Sequence, residues 1–161
     1  MKATGEVMLI APSFENALIK AVRGSEGLSI DNSKYNHCSD EKVVNSLMPA
    51  TDYRLFMIYE ALKRKLRTVD EICDETKIDK WFITKIANLV DYEQSIRGKE
   101  LTKEEYIRGK KLGYPDKVLQ SISGNKLPAH RRAVYKMVDT CGAAFKAETP
   151  YFYSTYDDEN E

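Results

Sequence analysis

Residues 78–90, IDKWFITKIANLV, constrain this chain more than any other stretch. Asp79 carries the short acceptor side chain that satisfies a free N–H at a helix start. Phe82, Ile83, Ile86, Leu89 and Val90 then recur at helical spacing. The stretch also holds the only tryptophan, Trp81. Just upstream, Thr68-Val69-Asp70-Glu71 is a capping-box sequence, in which the threonine hydroxyl and the glutamate carboxylate each accept a backbone N–H left over at a helix start. The spacing predicts one helix over 68–76 and a second over 79–96, ended by Gly98. Two capped helices joined by a short turn read as a helix–turn–helix pair.

The same arrangement recurs downstream. Thr102-Lys103-Glu104-Glu105 is a second capping box, opening a helix that stops at Gly113, and Pro115 fits the first turn of another helix reaching residue 123. The two segments read as a local duplication of helical hairpins, too few to make a solenoid. Before them, Ser13 caps a helix through residue 23 with Phe14, Ala17, Leu18, Ala21 and Val22 on one face. Residues 24–38, rich in Gly, Ser and Asn, read as a loop. Ser39 caps a short helix ending before Pro49. Thr51 caps a helix over 52–66 whose apolar positions, from Tyr53 to Leu66, are wide enough to be largely buried. Residues 6–11, EVMLIA, read as a strand, 127–134 as a helical turn carrying His130, Arg131 and Arg132, and 135–139 as a second strand. Residues 143–156 are aromatic and extended, with Tyr151, Phe152, Tyr153 and Tyr156, and run into an acidic end. The expected class is mainly α: an irregular helical domain with helix-turn-helix-like hairpins and short extended flanks. The flanks read as pieces that lean on something else, Val7, Met8, Tyr151 and Tyr153 being the residues that would do so, and the chain reads as an excised part of a longer protein.

Several functions are disfavoured by the residues themselves. The net charge is zero, and with Asp157, Asp158, Glu159 and Glu161 set aside the rest is only slightly basic, too little to predict nucleic-acid binding. A DNA-reading helix projects Arg, Lys, Asn or Gln from its first half. Here that half is Lys80 to Lys85, dominated by Trp81, Phe82 and Ile83, and the helix before it adds Asp70, Glu71, Asp74 and Glu75, which repel phosphate. A nucleic-acid binder is the alternative reading, and a packed helical hairpin the preferred one. His37 and Cys38 lack a second ligand pair at zinc spacing. Cys141, among Gly142, Ala143 and Ala144, reads as a buried, inert thiol. No glycine-rich phosphate loop is present, no apolar run is long enough to span a membrane, and the start lacks a signal peptide's pattern. Three cysteines far apart suit a reducing cytoplasm.

Three stretches together resemble one family, the large subunit of carbamoyl phosphate synthetase. The opening MKATGEVM resembles the family's MKSTGEVM, the central TKIDKWFITKI its T-x-I-D-x-W-F-x-x-K/Q-I, and the closing VYKMVDTCGAAFKAETPYFYSTYDDENE its VYKxVDTCAAEF…TPYYYSTYEEENE. They fall in the family's order and span essentially the whole chain. Ala11-Pro12 departs from the usual Gly-Arg, and Gly142-Ala143-Ala144 from Ala-Ala-Glu, which removes a carboxylate beside the cysteine. The resemblance implies residues 1–24 as the end of a first ATP-grasp synthetase unit, 25–145 as the helical oligomerisation domain, and 146–161 as an acidic segment leading to a second unit. It implies a parent ligase using ATP with Mg or Mn, a glutaminase small subunit, flanking ATP-grasp domains and self-association as partners, and neither nucleic acid nor membrane. No catalytic, cofactor or metal residue is implied within these residues, and the fragment alone is expected to be inactive. Trp81, Phe82, Ile86 and Leu89 are expected in core or interdomain contacts, and Tyr151 and Tyr153 against a neighbouring part.

Overall fold

The structure is a computed structural model and describes residues 6–26, 30, 35–142, 144–145 and 148–158. It is mainly helical, in the order α1 (Phe14–Glu26), α2 (Asp40–Asn45), α3 (Arg54–Lys63), α4 (Val69–Thr76), α5 (Lys80–Ile96), α6 (Lys103–Lys111) and α7 (Asp116–Ser123), followed by two strands, β1 (Val134–Met137) and β2 (Phe152–Thr155). The chain divides into two compact units. One is Val22–Ser95; the other joins Met1–Ala21 to Ile96–Glu161.

The Val22–Ser95 unit is built on α3 and α5. Met57, Tyr59, Ala61, Ile72, Ile83 and Leu89 are fully buried. Each of the larger aliphatic side chains, Met57, Ile72, Ile83 and Leu89, contributes about 1.5–3 kcal/mol through removal from water. Short α2 packs on α3, opened by Ser39, whose hydroxyl accepts the Lys42 N–H at 3.3 Å. The α3 helix carries a buried carboxylate, Glu60, that Arg64 and Lys63 neutralise at 2.9 Å and 3.3 Å. Arg64 spends its remaining donors on the Cys38 and Asn36 carbonyls, at 2.6 Å and 2.9 Å, and on Asp40. One planar guanidinium thereby fixes the turn before α2 to the end of α3, a use of five forked donors that an ammonium cannot copy. Burial opposes the Arg64 charge, but its bonds to Asp40 and Glu60 outweigh that and hold it above its ordinary value. A second buried carboxylate, Glu93, accepts the Tyr59 hydroxyl.

The other unit packs α6 on α7 and adds the two strands. β1 and β2 pair antiparallel, Val134 opposite Thr155 and Met137 opposite Phe152. The acidic end of the chain is tied down. Arg131 donates to the Asp157 carbonyl and to the Asp158 carboxylate, at 2.9 Å and 2.6 Å, and Lys111 pairs with Asp157 at 2.9 Å. Lys20 of α1 donates to the Ser154 carbonyl at 3.0 Å.

Four expectations need correcting. Residues 6–11 form no strand; a strand requires a ladder partner, and the sheet of the described residues contains only β1 and β2. Thr51 does not cap α3, which begins at Arg54 after Tyr53; its hydroxyl oxygen is buried without a hydrogen bond, and Lys65, at φ 58°, ends the helix before residue 66. The stretch 127–133 has no helical turn, because its basic groups reach outward to carboxylates of other segments instead of closing on their own turn. Cys141 is exposed, not buried: its N–H is held by Asp139 Oδ1 at 2.8 Å in a tight turn completed by Gly142 at φ +59°. Ala143 of that group lies outside the described residues, as do residues 1–5 of the opening motif and 159–161 of the tail.

Candidate functional site

The helix that opened the sequence reading carries the most conspicuous surface of its unit. Asp79 caps α5, its carboxylate accepting the Trp81 N–H at 2.8 Å. From that fixed start, 100° per residue places Ile83, Ile86, Leu89, Val90 and Tyr92 on the inner face, where all are buried. Both Trp81, just past the edge of that arc, and Phe82, within it, belong to the first turn of the helix. They remain 50% and 45% exposed, and their rings meet edge to face, centroids 5.0 Å apart at 89°. Lys85, one turn on, brings its ammonium to 5.2 Å from the Trp81 ring centre, a favourable approach of a cation to a ring face. The four predicted residues of α5 are therefore separated: Ile86 and Leu89 lie in the core, while Trp81 and Phe82 form an outward aromatic pair. Lys85 was not singled out from the sequence, although its place four residues after Trp81 on a helix was the signal that it would stack there.

Around this pair the groups are paired and unreactive. Lys80 bonds Asp70 across the α4–α5 turn, both well exposed, and the carboxylate raises the ammonium's affinity for its proton. The half-buried Cys73 thiol is pushed up, first by burial and then by Asp70, which keeps it a thiol and not a nucleophilic thiolate. The outward residues of the first half of α5 are apolar, and α4 presents Asp70, Asp74 and Glu75. This surface does not suit a polyanion. It has the composition of a protein contact, in which exposed aromatics supply much of the binding energy.

In the other unit, Tyr151 and Tyr153 come together along a groove of about 490 Å³, lined also by Met8, Ile10, Lys20 and Phe152. Tyr151 is 64% exposed and Tyr153 half-buried. The same unit contains a charge cluster that sequence reasoning missed. Asp116 receives Lys110 at 2.8 Å, the Tyr106 hydroxyl at 3.0 Å and His130 Nδ1 at 3.1 Å. Lys110 is itself buried, with its ammonium 4.9 Å from the Tyr156 ring centre. Burial presses the Asp116 carboxyl upward, but the Lys110 bond and charge, with the Tyr106 and His130 bonds, outweigh it and hold the group below the ordinary carboxylate range. Tyr106 is raised, by burial and then by Asp116. His130 and Arg131, expected on a helical turn, bond acids of other segments. Nothing in the local sequence announces this, since the partners are separated by 14 and 27 positions.

Among the described residues no three His, Cys, Asp or Glu side chains lie close enough to hold a metal ion, and Lys20, which lines the groove, bonds Ser154. No helix of the described residues is long and apolar enough to cross a membrane.

Comparison with known proteins agrees with the helical architecture. The family profile described as "Carbamoyl-phosphate synthetase large chain, oligomerisation domain" matches residues 6–138. The carbamoyl phosphate synthase large chain of Lachnoclostridium phytofermentans is 44% identical over the whole of this chain, and those of Caldanaerobacter subterraneus and Methanosarcina acetivorans are 42% and 43% identical over the same extent. The chain spans 16% of the length of each of these relatives. A match over most of the chain, together with relatives at this identity, leaves no support for the nucleic-acid alternative, and the chain belongs to the carbamoyl-phosphate synthetase large chain oligomerisation-domain family.

Proposed function

We propose that this chain works as a non-catalytic connector within the large chain of a glutamine-dependent carbamoyl phosphate synthetase. The observation that carries the reading is the family match over residues 6–138. On this reading residues 1–24 close a first ATP-grasp unit, 25–145 form the helical oligomerisation domain, and 146–161 lead to a second unit. The parent is a cytoplasmic ligase that combines bicarbonate, glutamine-derived ammonia and two ATP molecules, and feeds arginine and pyrimidine synthesis. Its first half makes carboxyphosphate and then carbamate, its second phosphorylates carbamate, and a glutaminase small subunit supplies the ammonia.

In that setting the chain's own residues hold structure. Ile86 and Leu89 pack the core of one unit, while Trp81, Phe82, Tyr151 and Tyr153 offer contact surface to neighbouring parts. The ion groups, Glu60 with Arg64 and Asp116 with Lys110, are paired within their own units. The test is ATP turnover by the pure 161-residue chain, alone and with bicarbonate and ammonia. No hydrolysis above the buffer rate is expected; turnover that a substitution within these residues abolishes would overturn the reading. Size in solution against concentration tests self-association separately.

A further inference from the structure

Residues 151–158 are fastened to their unit with little apolar anchorage. Only Thr155 among them is buried; Tyr153 and Tyr156 are half-buried, and Tyr151 and Phe152 are mostly exposed. Charge does most of the fastening. Lys20 of α1 donates to the Ser154 carbonyl and hydroxyl, at 3.0 Å and 3.2 Å. Lys111 of α6 pairs with Asp157, and Arg131 holds the Asp157 carbonyl and the Asp158 carboxylate. The register of the sheet continues past its strands: with Val134 opposite Thr155, Arg131 falls opposite Asp158, so this ion pair closes the open end of the ladder. The ladder itself adds little, because a two-stranded sheet is marginal in water. A fourth cation lies beneath. The Tyr156 ring stands over the Lys110 ammonium, and the Lys110 side chain, bonded to Asp116, is only 7% exposed.

The outer ties and the covered one differ in their contact with water. The side chains of Lys111 and Asp158 are 51% and 94% exposed. Ion pairs of that kind are weak singly and are screened by salt, whereas a covered pair is screened much less. A segment held by them opens at a smaller free energy than the fold as a whole.

We propose that residues 151–158 form a charge-latched strap, which opens while the helices stay folded and then uncovers Lys110. Closed, the strap seals the Lys110–Asp116 bond and completes the sheet. Open, it leaves β1 without a partner and the Lys110 ammonium in water, while Tyr106 and His130 remain on Asp116. On the connector reading this stretch leads toward the second synthetase unit, so the latch sets whether that lead is tied to the helices or loose. That consequence alone rests on the connector reading; the latch stands without it.

The test follows acetylation of lysines in the whole 161-residue chain by acetic anhydride, read by peptide mass, with Lys126, exposed in the same unit, as the reference. Amide exchange is recorded in parallel. Raising salt from about 20 mM to about 500 mM shortens the screening length from about 20 Å to about 4 Å. The ratio of Lys110 to Lys126 labelling should rise about threefold or more. The Val138 N–H, which donates to the Tyr151 carbonyl at 2.9 Å, should exchange faster in step, and the amides of α6 and α7 should not. Lys111→Gln at low salt should raise both readouts about two- to fivefold, the factor left by one lost exposed pair. A labelling ratio indifferent to salt and to Lys111→Gln overturns the charge latch. A ratio that rises only together with exchange throughout α6 and α7 overturns the strap as a separate opening, because Lys110 is then reached by unfolding. The salt series uses the unaltered chain, so it decides the matter even if the variant folds poorly.

Discussion

The hairpins α4–α5 and α6–α7 begin with the same local chemistry and end differently. Both open on a complete capping box: Glu71 N–H donates to Thr68 Oγ1 at 3.3 Å and Thr68 N–H to Glu71 Oε2 at 2.7 Å, with the Thr102–Glu105 equivalents at 3.2 Å and 2.9 Å. Both then need a residue of positive φ to turn the chain. After α4 that residue is Lys77, exposed, at φ 59°. After α6 it is Gly113, buried, at φ +100°, where an added Cβ would lie 3.3 Å from the Asn16 backbone. The Asn16 side-chain amide also donates to the Lys111 carbonyl at 2.7 Å, so α1 is seated directly on this turn. The ties across the two turns differ likewise. Lys80 and Asp70 are both solvated, whereas Lys110 is buried against Asp116. The first turn is set by its own residues, the second by what packs on it. Identical caps therefore do not make equivalent hairpins.

This contrast can be broken most severely at Gly113. Gly113→Ala should cost about 2–4 kcal/mol, combining a disallowed φ with contact against backbone that cannot move aside. Gly124→Ala, at φ +69° with open space around it, should cost only the conformational part, about 1 kcal/mol. Urea midpoints of the two variants measure the difference; equal losses would mean that Asn16 does not constrain the turn.

Next in size is the ion contrast. Asp116→Asn strips the buried Lys110 of its carboxylate and should cost about 1–3 kcal/mol, while Asp70→Asn at the solvated pair should cost less than about 0.5 kcal/mol. The Asp116 carboxyl titrates below its unfolded value in the native chain. Its contribution is thus present above about pH 4 and lost as pH falls through the lower native value. Acid titration of stability should be shallower in Asp116→Asn over that window, by an amount reduced for a carboxylate that retains some contact with water. A parallel acid limb in the variant and the parent would contradict the assignment.

The shared feature gives the matched effect. Thr68→Ala and Thr102→Ala should each lose about 1 kcal/mol, the two being similar because the boxes are the same. A loss at only one would show that the other helix start is held by packing. The smallest change has the opposite sign: Lys77→Gly should stabilise by about 0.5–1 kcal/mol, since glycine adopts positive φ without the Cβ penalty. Thermal melts of the Lys77 variant settle this, and a lowered midpoint would mean that the Lys77 side chain contributes a contact larger than its strain.

Much of the helical layout was legible in the residues. Thr68, Asp79 and Thr102 act as caps in the structure because capping is a contact between neighbours two or three residues apart, and no distant part of the chain is needed to make it. The buried set Ile83, Ile86, Leu89 and Val90 follows from period alone. At Thr51 the same reasoning failed, because nothing in the local pattern showed that Tyr53 would take the cap position. It failed again over 6–11, which has strand character but joins no ladder among the described residues, and over 127–133, where His130 and Arg131 bond groups far along the chain. For the candidate surface, the sequence pointed to Trp81 and Phe82 without deciding whether they are covered. Periodicity puts Phe82 on the stripe of Ile86 and Leu89 and Trp81 beside it, yet both lie in the first turn of α5, and only the packing around that turn decides the matter.

The sequence by itself determined most of the helix starts, α3 excepted, the mainly helical class and, through its motifs, the family. These are properties of short windows or of residue order. Only the tertiary structure decided that the aromatic tail pairs with β1, that Arg131 and Lys111 hold its acids, that Lys110 and Asp116 share a buried bond, and that Trp81 faces outward. Each of these joins groups distant in sequence or depends on the rotation of a packed helix, and the energies concerned exist only once folding has removed water from between the partners.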